Sequence, residues 1–341
     1  MTDQPLISIV ITSYNNYNFI GKCLSCATSQ DYRPIEIIVV DQYSSDGTPQ
    51  LIQEQFANIK LIQNDHNTGF ADGMNQGICA SAGEYVLLLN SDLFLDRAFI
   101  RQAVNEFKSI SKDRVGMLAS IVYRYQGEKY TKEIDSIGYF LLPYNAVINS
   151  ENISVREWVL GPAGSAMFLS RTMLEDIRLP AGDYLDSTYF CYGEDIELAF
   201  RAQLLGWRCL YAPIVAGWHI GSASVDMQGQ YSKKPFHLRI HATKNRYLTL
   251  LSCFPLRLLV WSLPWNILAE CGLIAVDTMN GRLDSLKCLF RAYRAVFKML
   301  PAVLAKRRWL MVRRKVSCTY LRSLYAKLSF IRTFQSLVQK I

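Results

Sequence analysis

The sequence predicts an α/β fold with a mostly parallel central sheet, followed by a helical, basic tail. Three observations carry that prediction. Short unbroken apolar runs recur, each ending at a polar loop, which is the pattern of strands buried on both faces. Helical sequence separates the runs, as parallel strands require. The composition then changes at Leu248: from there to Ile341, 16 Lys and Arg stand against 3 Asp and Glu, a surplus of 13, whereas residues 1–247 carry 21 against 26, a net −5. Half of the 341 residues are apolar, enough for a large core and too many for a disordered chain.

Residues 6–11 form the first run and lead into Thr12-Ser13-Tyr14-Asn15-Asn16. The second, 35–40, ends at Asp41, with Ser44-Ser45-Asp46-Gly47-Thr48 beyond it. A short third strand is expected at 59–62 and a helix from 71 to about 80. Gly69, Gly73 and Gly77 recur every fourth residue there, a spacing that suits a helix face thinned for packing as well as a ligand loop. The run 85–89 stops at Asn90-Ser91-Asp92. Ligands of open parallel sheets gather outside the carboxyl ends of the strands, so the loops after these runs should lie together on one edge. That edge suits a nucleotide, yet neither Gly-x-Gly-x-x-Gly nor a Walker lysine loop occurs. Taken alone, Asp92 also reads as a cap for a helix expected at 98–109, and Asp46-Gly47-Thr48 as a turn with a helix cap.

The nine cysteines are scattered. Cys23 and Cys26 fall on the expected first helix without a second pair at zinc spacing, which favours packing over metal or redox chemistry. Met1-Thr2-Asp3-Gln4-Pro5 has no basic region ahead of an apolar core, so no signal peptide is expected and the front domain is expected in the cytoplasm.

Four motifs resemble the nucleotide-sugar half of family 2 glycosyltransferases, in the branch containing rhamnosyltransferases of bacterial surface polysaccharides. They are Ile9-Val10-Ile11-Thr12-Ser13-Tyr14-Asn15; Val39-Val40-Asp41 with Ser44, Asp46, Gly47 and Thr48; Asn67-x-Gly69-Phe70-Ala71 with Asn75 and Gly77; and Leu89-Asn90-Ser91-Asp92. Further on, Trp158 to Phe168 with Arg171 resembles the family's acceptor-side strand. Gly193-Glu194-Asp195-Ile196-Glu197-Leu198 resembles its Glu-Asp motif, and His219 with Gly221 and Ser222 its late histidine motif. The resemblance covers about residues 5–250. It implies a GT-A fold, a Rossmann-like sandwich over residues 1–247, and inverting transfer of a hexosyl or rhamnosyl group from a nucleoside-diphosphate sugar.

By that resemblance Thr12, Tyr14, Asp41, Asn67, Gly69, Phe70, Asn75 and Ser91 line the nucleotide-sugar site, with Asp41 at the base or ribose. Asp92 and His219 would hold a divalent cation, Mg²⁺ or Mn²⁺, which prefers carboxylate, phosphate and water oxygens. The acceptor hydroxyl needs a base; the motif gives that part to Asp195, with Glu194 the other carboxylate in reach. Trp158, Gly161, Glu194, Glu197 and Arg201 would form or brace the acceptor side, although Glu197 and Arg201 also read as a plain i,i+4 ion pair. Asn90 replaces the first acid of the family's Asp-x-Asp, so the donor's phosphates must complete the cation's shell. The same departure supports the alternative, a non-catalytic membrane-associated protein that binds sugar nucleotides on this fold. Residues choosing among sugars are expected in loops such as 120–153, where no motif is readable.

In the tail, residues 258–269 are apolar and Trp-rich but shorter than a membrane span, broken by Pro264 and flanked by Arg257 and Glu270, which predicts an interfacial or re-entrant segment. Leu286, Leu289, Phe290, Tyr293, Val296, Phe297 and Leu300 follow helical spacing, with Lys287, Arg291, Arg294 and Lys298 on another face. Lys306-Arg307-Arg308 and Arg313-Arg314-Lys315 add charge. Together with Trp261, Trp265 and Trp309 they predict an amphipathic helix on an anionic membrane surface through residues 251–315, against the plainer reading of a helix packed on the domain. No nucleic-acid module is recognisable. The expectation is a peripheral enzyme at the cytoplasmic face of the inner membrane, acting on a lipid-linked saccharide.

Overall fold

The computed structural model describes residues 4–110, 114–144, 146–150, 153–221, 235–279, 281 and 284–327. Ser222 lies outside them. Strand β1 (Ile7–Ser13) leads into α1 (Tyr17–Thr28), β2 (Ile35–Asp41) into α2 (Thr48–Gln55), and β3 (Lys60–Gln63) into α3 (Phe70–Cys79). Then come β4 (Tyr85–Asn90), β5 (Leu93–Leu95), α4 (Phe99–Ser109), β6 (Val115–Gln126), β7 (Lys129–Ser136), β8 (Tyr139–Leu141), β9 (Val147–Asn149), β10 (Glu157–Val159) and β11 (Ala166–Ser170). Helices α5 (Arg171–Ile177) and α6 (Glu194–Leu204) precede β12 (Arg208–His219), and α7 (Phe236–Cys253), α8 (Leu256–Met279), α9 (Asp284–Arg313) and α10 (Cys318–Ser323) form the tail.

The main sheet runs β10-β12-β6-β11-β4-β1-β2-β3, with β5 paired to β12 and β7 to β6. The half β4-β1-β2-β3 is parallel. Beyond it the sheet is mixed, because β11 lies antiparallel between β4 and β6 while β12 runs parallel to β6. Both faces are covered, which is why the front strands read as continuous apolar runs. Ile9, Ile11, Val39, Leu87 and Leu89 meet α1 and α4 on one side; Val10, Val86 and Leu88 meet Met74 and Ile78 of α3 on the other. The glycines of α3 serve this packing: a Cβ on Gly77 would stand 2.2 Å from Val10 Cγ1, and one on Gly73 2.7 Å from Thr12 Cγ2.

The tail corrects two expectations. Pro264 does not break the segment: α8 continues through it for 24 residues and is long and apolar enough to cross a membrane by length and composition. The proline removes the helical partner of the Val260 carbonyl, on the exposed side of the helix. In α9 the apolar and basic residues do not separate into two faces. Cys288, Leu289, Ala292, Val296, Val303 and Leu310 are buried, while Leu286, Phe290 and Phe297 point outward among Lys287, Arg291, Arg294 and Lys298. Phe254, Leu258, Val296, Val303, Leu310 and Leu324 belong to the same apolar cluster as Val10 and Leu88.

Candidate active site

The loops at the carboxyl ends of β1, β2 and β4 are cross-linked along one edge. Asn15 N donates to Ser44 Oγ at 2.8 Å, Asn16 N to Thr48 Oγ1 at 3.2 Å, and Asn16 Nδ2 to Ser91 Oγ at 2.6 Å. Asp41 is buried at the end of β2; its Oδ2 accepts from Ser44 N at 2.9 Å, while Oδ1 and the neighbouring Thr12 Oγ1 have no protein partner. Tyr14 stands exposed at the rim. Asp46 caps α2, accepting from Thr48 N and Oγ1 and from Tyr17 N. Two residues expected at the nucleotide brace the chain in this structure. Asn75 is buried and spent on the segment before α6: its Oδ1 accepts from Tyr184 N and Leu185 N, and its Nδ2 donates to Leu185 O. Asn67 Oδ1 accepts from Gly69 N, and Gly69, at φ +94°, lies against Phe190, whose carbonyl accepts from Phe70 N.

Asp92 follows β4; ahead of α4, Asp96 Oδ1 accepts from Ala98 N at 2.9 Å, and Gln30 Oε1 accepts from Ile100 N in the first turn at 3.2 Å. Asp92 Oδ1 lies 3.2 Å from Nε2 of His219, at the end of β12. The other ring nitrogen, Nδ1, is 2.9 Å from Oδ2 of Asp135 on β7. Burial by itself would lower the imidazole's pKa, but Asp92 and Asp135 on either side outweigh it and raise the pKa to about 10. The protonated ring donates to both carboxylates.

Asp195 occupies the first turn of α6. Burial pushes its carboxyl above the usual range, opposed by hydrogen bonds from Ile196 N, the Tyr139 hydroxyl and Gly164 N. Ile196 N is 2.8 Å and Tyr139 Oη 3.4 Å away. Gly161 lets the segment after β10 approach α6, since a Cβ there would stand 2.5 Å from Ala199 Cβ, and Gly164 leaves room for Asp195 Oδ2, 2.9 Å from where its Cβ would be. Asp195 shares a cavity of about 460 Å³ with Asp135, Tyr139, Ile148 and Asn149. The carboxylate on α6 and the outer carboxylate of the Asp92–His219–Asp135 chain therefore face one space.

Residues 8–178 match the glycosyl transferase family 2 model, half of the chain. The chain belongs to glycosyl transferase family 2. The glycosyltransferase AglE of Haloferax volcanii is 26% identical over 63% of this chain and 67% of its own length. An N-acetylglucosaminyl-diphospho-decaprenol L-rhamnosyltransferase of Mycobacterium tuberculosis is 24% identical over 62% of this chain and 75% of its own. Other relatives are much longer: the match spans 16% of a chondroitin synthase of Escherichia coli. In fold, the chain is similar to the mannosyltransferase PcManGT of Pyrobaculum calidifontis, solved with GDP-Man and Mn²⁺ (TM-score 0.52, 18% identity, 99% of this chain and 86% of that one).

In this family 2 chain Asp92 and His219 are spaced as two ligands of one cation would be. Ligands about 2.1 Å from an octahedral Mg²⁺ sit about 3 Å apart, close to the 3.2 Å between Asp92 Oδ1 and His219 Nε2. Asp135 fixes the ring from behind, as outer carboxylates do for metal-binding imidazoles. Among the described residues no three His, Cys, Asp or Glu side chains form a cation cage, so the remaining ligands would have to be phosphate and water. A bound cation would replace the proton on Nε2.

On α6, Glu197 and Arg201 are fully buried and form a two-pronged pair at 2.9 Å and 2.9 Å. Arg201 also donates to the carbonyls of Ile177 and Tyr184. Glu194 is buried beside Asp195 and does not line the cavity. Trp158 is not at the site: it pairs with Leu210 near the start of β12, while His219 ends that strand, and its ring is covered by the Arg208 guanidinium at 3.4 Å. Asp135 and Tyr139 escaped the sequence reading. Both lie between 120 and 153, and their meaning depends on which strands pair with β6 and on the bridge from Tyr139 to Gly161.

Proposed function

We propose that the protein is an inverting glycosyltransferase that moves a sugar from a nucleoside-diphosphate sugar to a hydroxyl of a lipid-linked saccharide. The observation that carries this reading is the shared cavity: Asp195 on one wall and Asp135, tied through His219 to Asp92, on the other. Inversion requires the attacking hydroxyl and the leaving diphosphate on opposite faces of the sugar, and this arrangement suits that. The nucleotide would lie along the ends of β1, β2 and β4, with the free Asp41 Oδ1 accepting from a base or ribose donor. Asp92 and His219 would hold a divalent cation with the donor's diphosphate, and such a cation offsets charge growing on the departing phosphate oxygens. Asp195 accepts the acceptor's proton as the new C–O bond forms and the bond to diphosphate breaks. Its place in the first turn of α6 favours the ionised form that a base needs. Relatives named for rhamnosyl transfer to a decaprenol-linked sugar, and the fold neighbour holding GDP-Man and Mn²⁺, agree with this reading.

The proposed location is the cytoplasmic face of the cell membrane, with the exposed faces of α8 and α9 against lipid. The chemistry is tested with Asp195→Asn, which keeps the side chain's size and removes the carboxylate that accepts the proton. Sugar-nucleotide turnover should fall by about 10²–10⁴-fold while nucleotide binding is retained. Full turnover in the variant would remove Asp195 as the base. No turnover by the wild type on any of several donors and acceptors would favour a binding protein on the same fold.

A further inference from the structure

Ile148 touches two parts of the protein that have separate jobs. On one side it lines, with Val147, the cavity that holds Asp195. On the other it packs against the cluster of Leu142, Tyr144 and Ala269, the last of these on α8, which Trp265 of α8 also joins. The β8–β9 hairpin is thus the lip of the cavity and is mounted on the tail. Leu141 N donates to Leu324 O at 3.0 Å, Ala326 N donates to Leu141 O at 2.8 Å, and Tyr325 meets Trp261 of α8 edge-on at 5.1 Å.

Helix α8 has two unlike sides. Inward, Ser262, Asn266, Glu270 and Asp277 are buried; Glu270 is held by Arg246, Tyr247 and Tyr293, and Asp277 by Ser285 N at 2.8 Å. Those bonds tie α8 to α7 and α9, so it cannot be surrounded by lipid without stripping partners from buried charges. Outward, every exposed residue from Val260 to Met279 is uncharged, with Val260 61%, Ile267 52% and Met279 86% exposed. On the adjoining α9, Lys287, Arg291, Arg294 and Lys298 are exposed. An open apolar strip beside cations fits the surface of an anionic bilayer.

We infer that the β8–β9 lip and the outer side of α8 form one lipid-lined approach to the cavity, by which the saccharide of a lipid-linked acceptor reaches Asp195 while its apolar chain passes over Val147 and Ile148 onto α8. This rests on the reading that the cavity takes a lipid-linked acceptor. It makes α8 a helix lying in the interface with one side in lipid, and the hairpin a part of the membrane-contacting surface.

The test uses the full chain carrying the photo-crosslinker benzoylphenylalanine at one position, with vesicles of phosphatidylcholine and phosphatidylglycerol. The positions are Ile148, Val147 as a second site should the first perturb the hairpin, Ile267 on the outer side of α8, and Glu54 on α2 at the far edge of the sheet. After irradiation, lipid adducts are expected at Ile267 and at the lip and not at Glu54, with both sets lost on vesicles of phosphatidylcholine alone. Adducts at Ile267 with the lip positions no higher than Glu54 would overturn the inference and leave the membrane and catalytic readings standing. Failure of every position to crosslink, with a chain that does not float with vesicles, would overturn the inference together with the membrane reading; turnover by the wild type and Asp195→Asn then still decides the chemistry.

Discussion

Asp195 is held between two opposing influences, burial that favours its neutral form and donors that favour the anion, with burial the larger. The proposed base works only when ionised, so turnover should be present above its pKa and lost as pH falls through it, at a pH above the ordinary carboxylate range. Tyr139→Phe removes a donor to the ionised form and should move this acid limb of kcat/KM further up; an unchanged limb would mean that another group titrates. Asn75 offers a contrasting case, a motif residue whose side chain is consumed by bracing. Asn75→Ala leaves Tyr184 N, Leu185 N and Leu185 O without that partner, at about 1–3 kcal/mol for each group left buried and unpaired. A fall in melting temperature is expected whether or not nucleotide is present. Asp41, Asp92 and Asp195 were legible because each follows an apolar run or opens a helix, a one-dimensional pattern. Asp135 was not, since Lys-Tyr-Thr-Lys-Glu-Ile-Asp-Ser is an ordinary half-exposed strand until β12 brings His219 beside it.

At the scale of elements, the loop ahead of α6 is under strain and is held by the tail. Phe190, Tyr192 and Gly193 have φ of 61°, 68° and 86°, a conformation that costs non-glycine residues of order 1–3 kcal/mol each. Helix α7 holds it down: Asn245 Nδ2 reaches the carbonyls of Tyr189, Cys191 and Tyr192, and Lys244 Nζ donates to Thr188 O at 2.6 Å. Helix α9 adds Lys306, which sequence alone assigns to a membrane-facing basic cluster. Its ammonium is instead enclosed between Asp186 Oδ2 at 2.6 Å and Glu197 Oε1 at 2.7 Å, forming with Arg201 a neutral buried set of two acids and two bases. Arg307 and Arg313 are likewise turned to carbonyls of Leu251, Phe254 and Asp176. Lys306→Met would leave Glu197 and Asp186 short of a counter-charge, and breaking a buried pair on one side costs about 3–5 kcal/mol. Thermal denaturation should register that loss, and Lys306→Arg should recover part of it. Unchanged stability in the methionine variant would show the ammonium to be solvated in solution. Charge clusters in a sequence reveal sign and spacing but not which face meets an acid, so the tail's helical character was legible and its pairings were not.

For the molecule as a whole, the question is how the proposed membrane attachment can be tested apart from folding. Deleting the tail does not separate them. Phe254, Leu258, Val296, Val303 and Leu310 are buried in the cluster that also holds Leu198 and Phe200 of α6, so a chain ending at residue 250 would expose that cluster and lose Lys306 from Glu197. It should accumulate as insoluble protein for reasons unrelated to lipid. The surface can be altered without touching the core because the outward residues are distinct from the packed ones. Val260, Ile267, Phe290 and Phe297 are 61%, 52%, 70% and 73% exposed, and substitutions of exposed residues away from special features usually change stability by no more than about 0.5 kcal/mol. Replacing these four with glutamine should leave the melting temperature close to that of the wild type, while the fraction of protein recovered with phosphatidylglycerol-containing vesicles falls. Raising the salt should weaken the wild type's binding further, since the exposed lysines and arginines of α9 act on lipid through a field that ions screen. Undiminished vesicle binding by a well-folded quadruple variant would place the membrane contact on another face of the protein and remove α8 and α9 from the proposed interface.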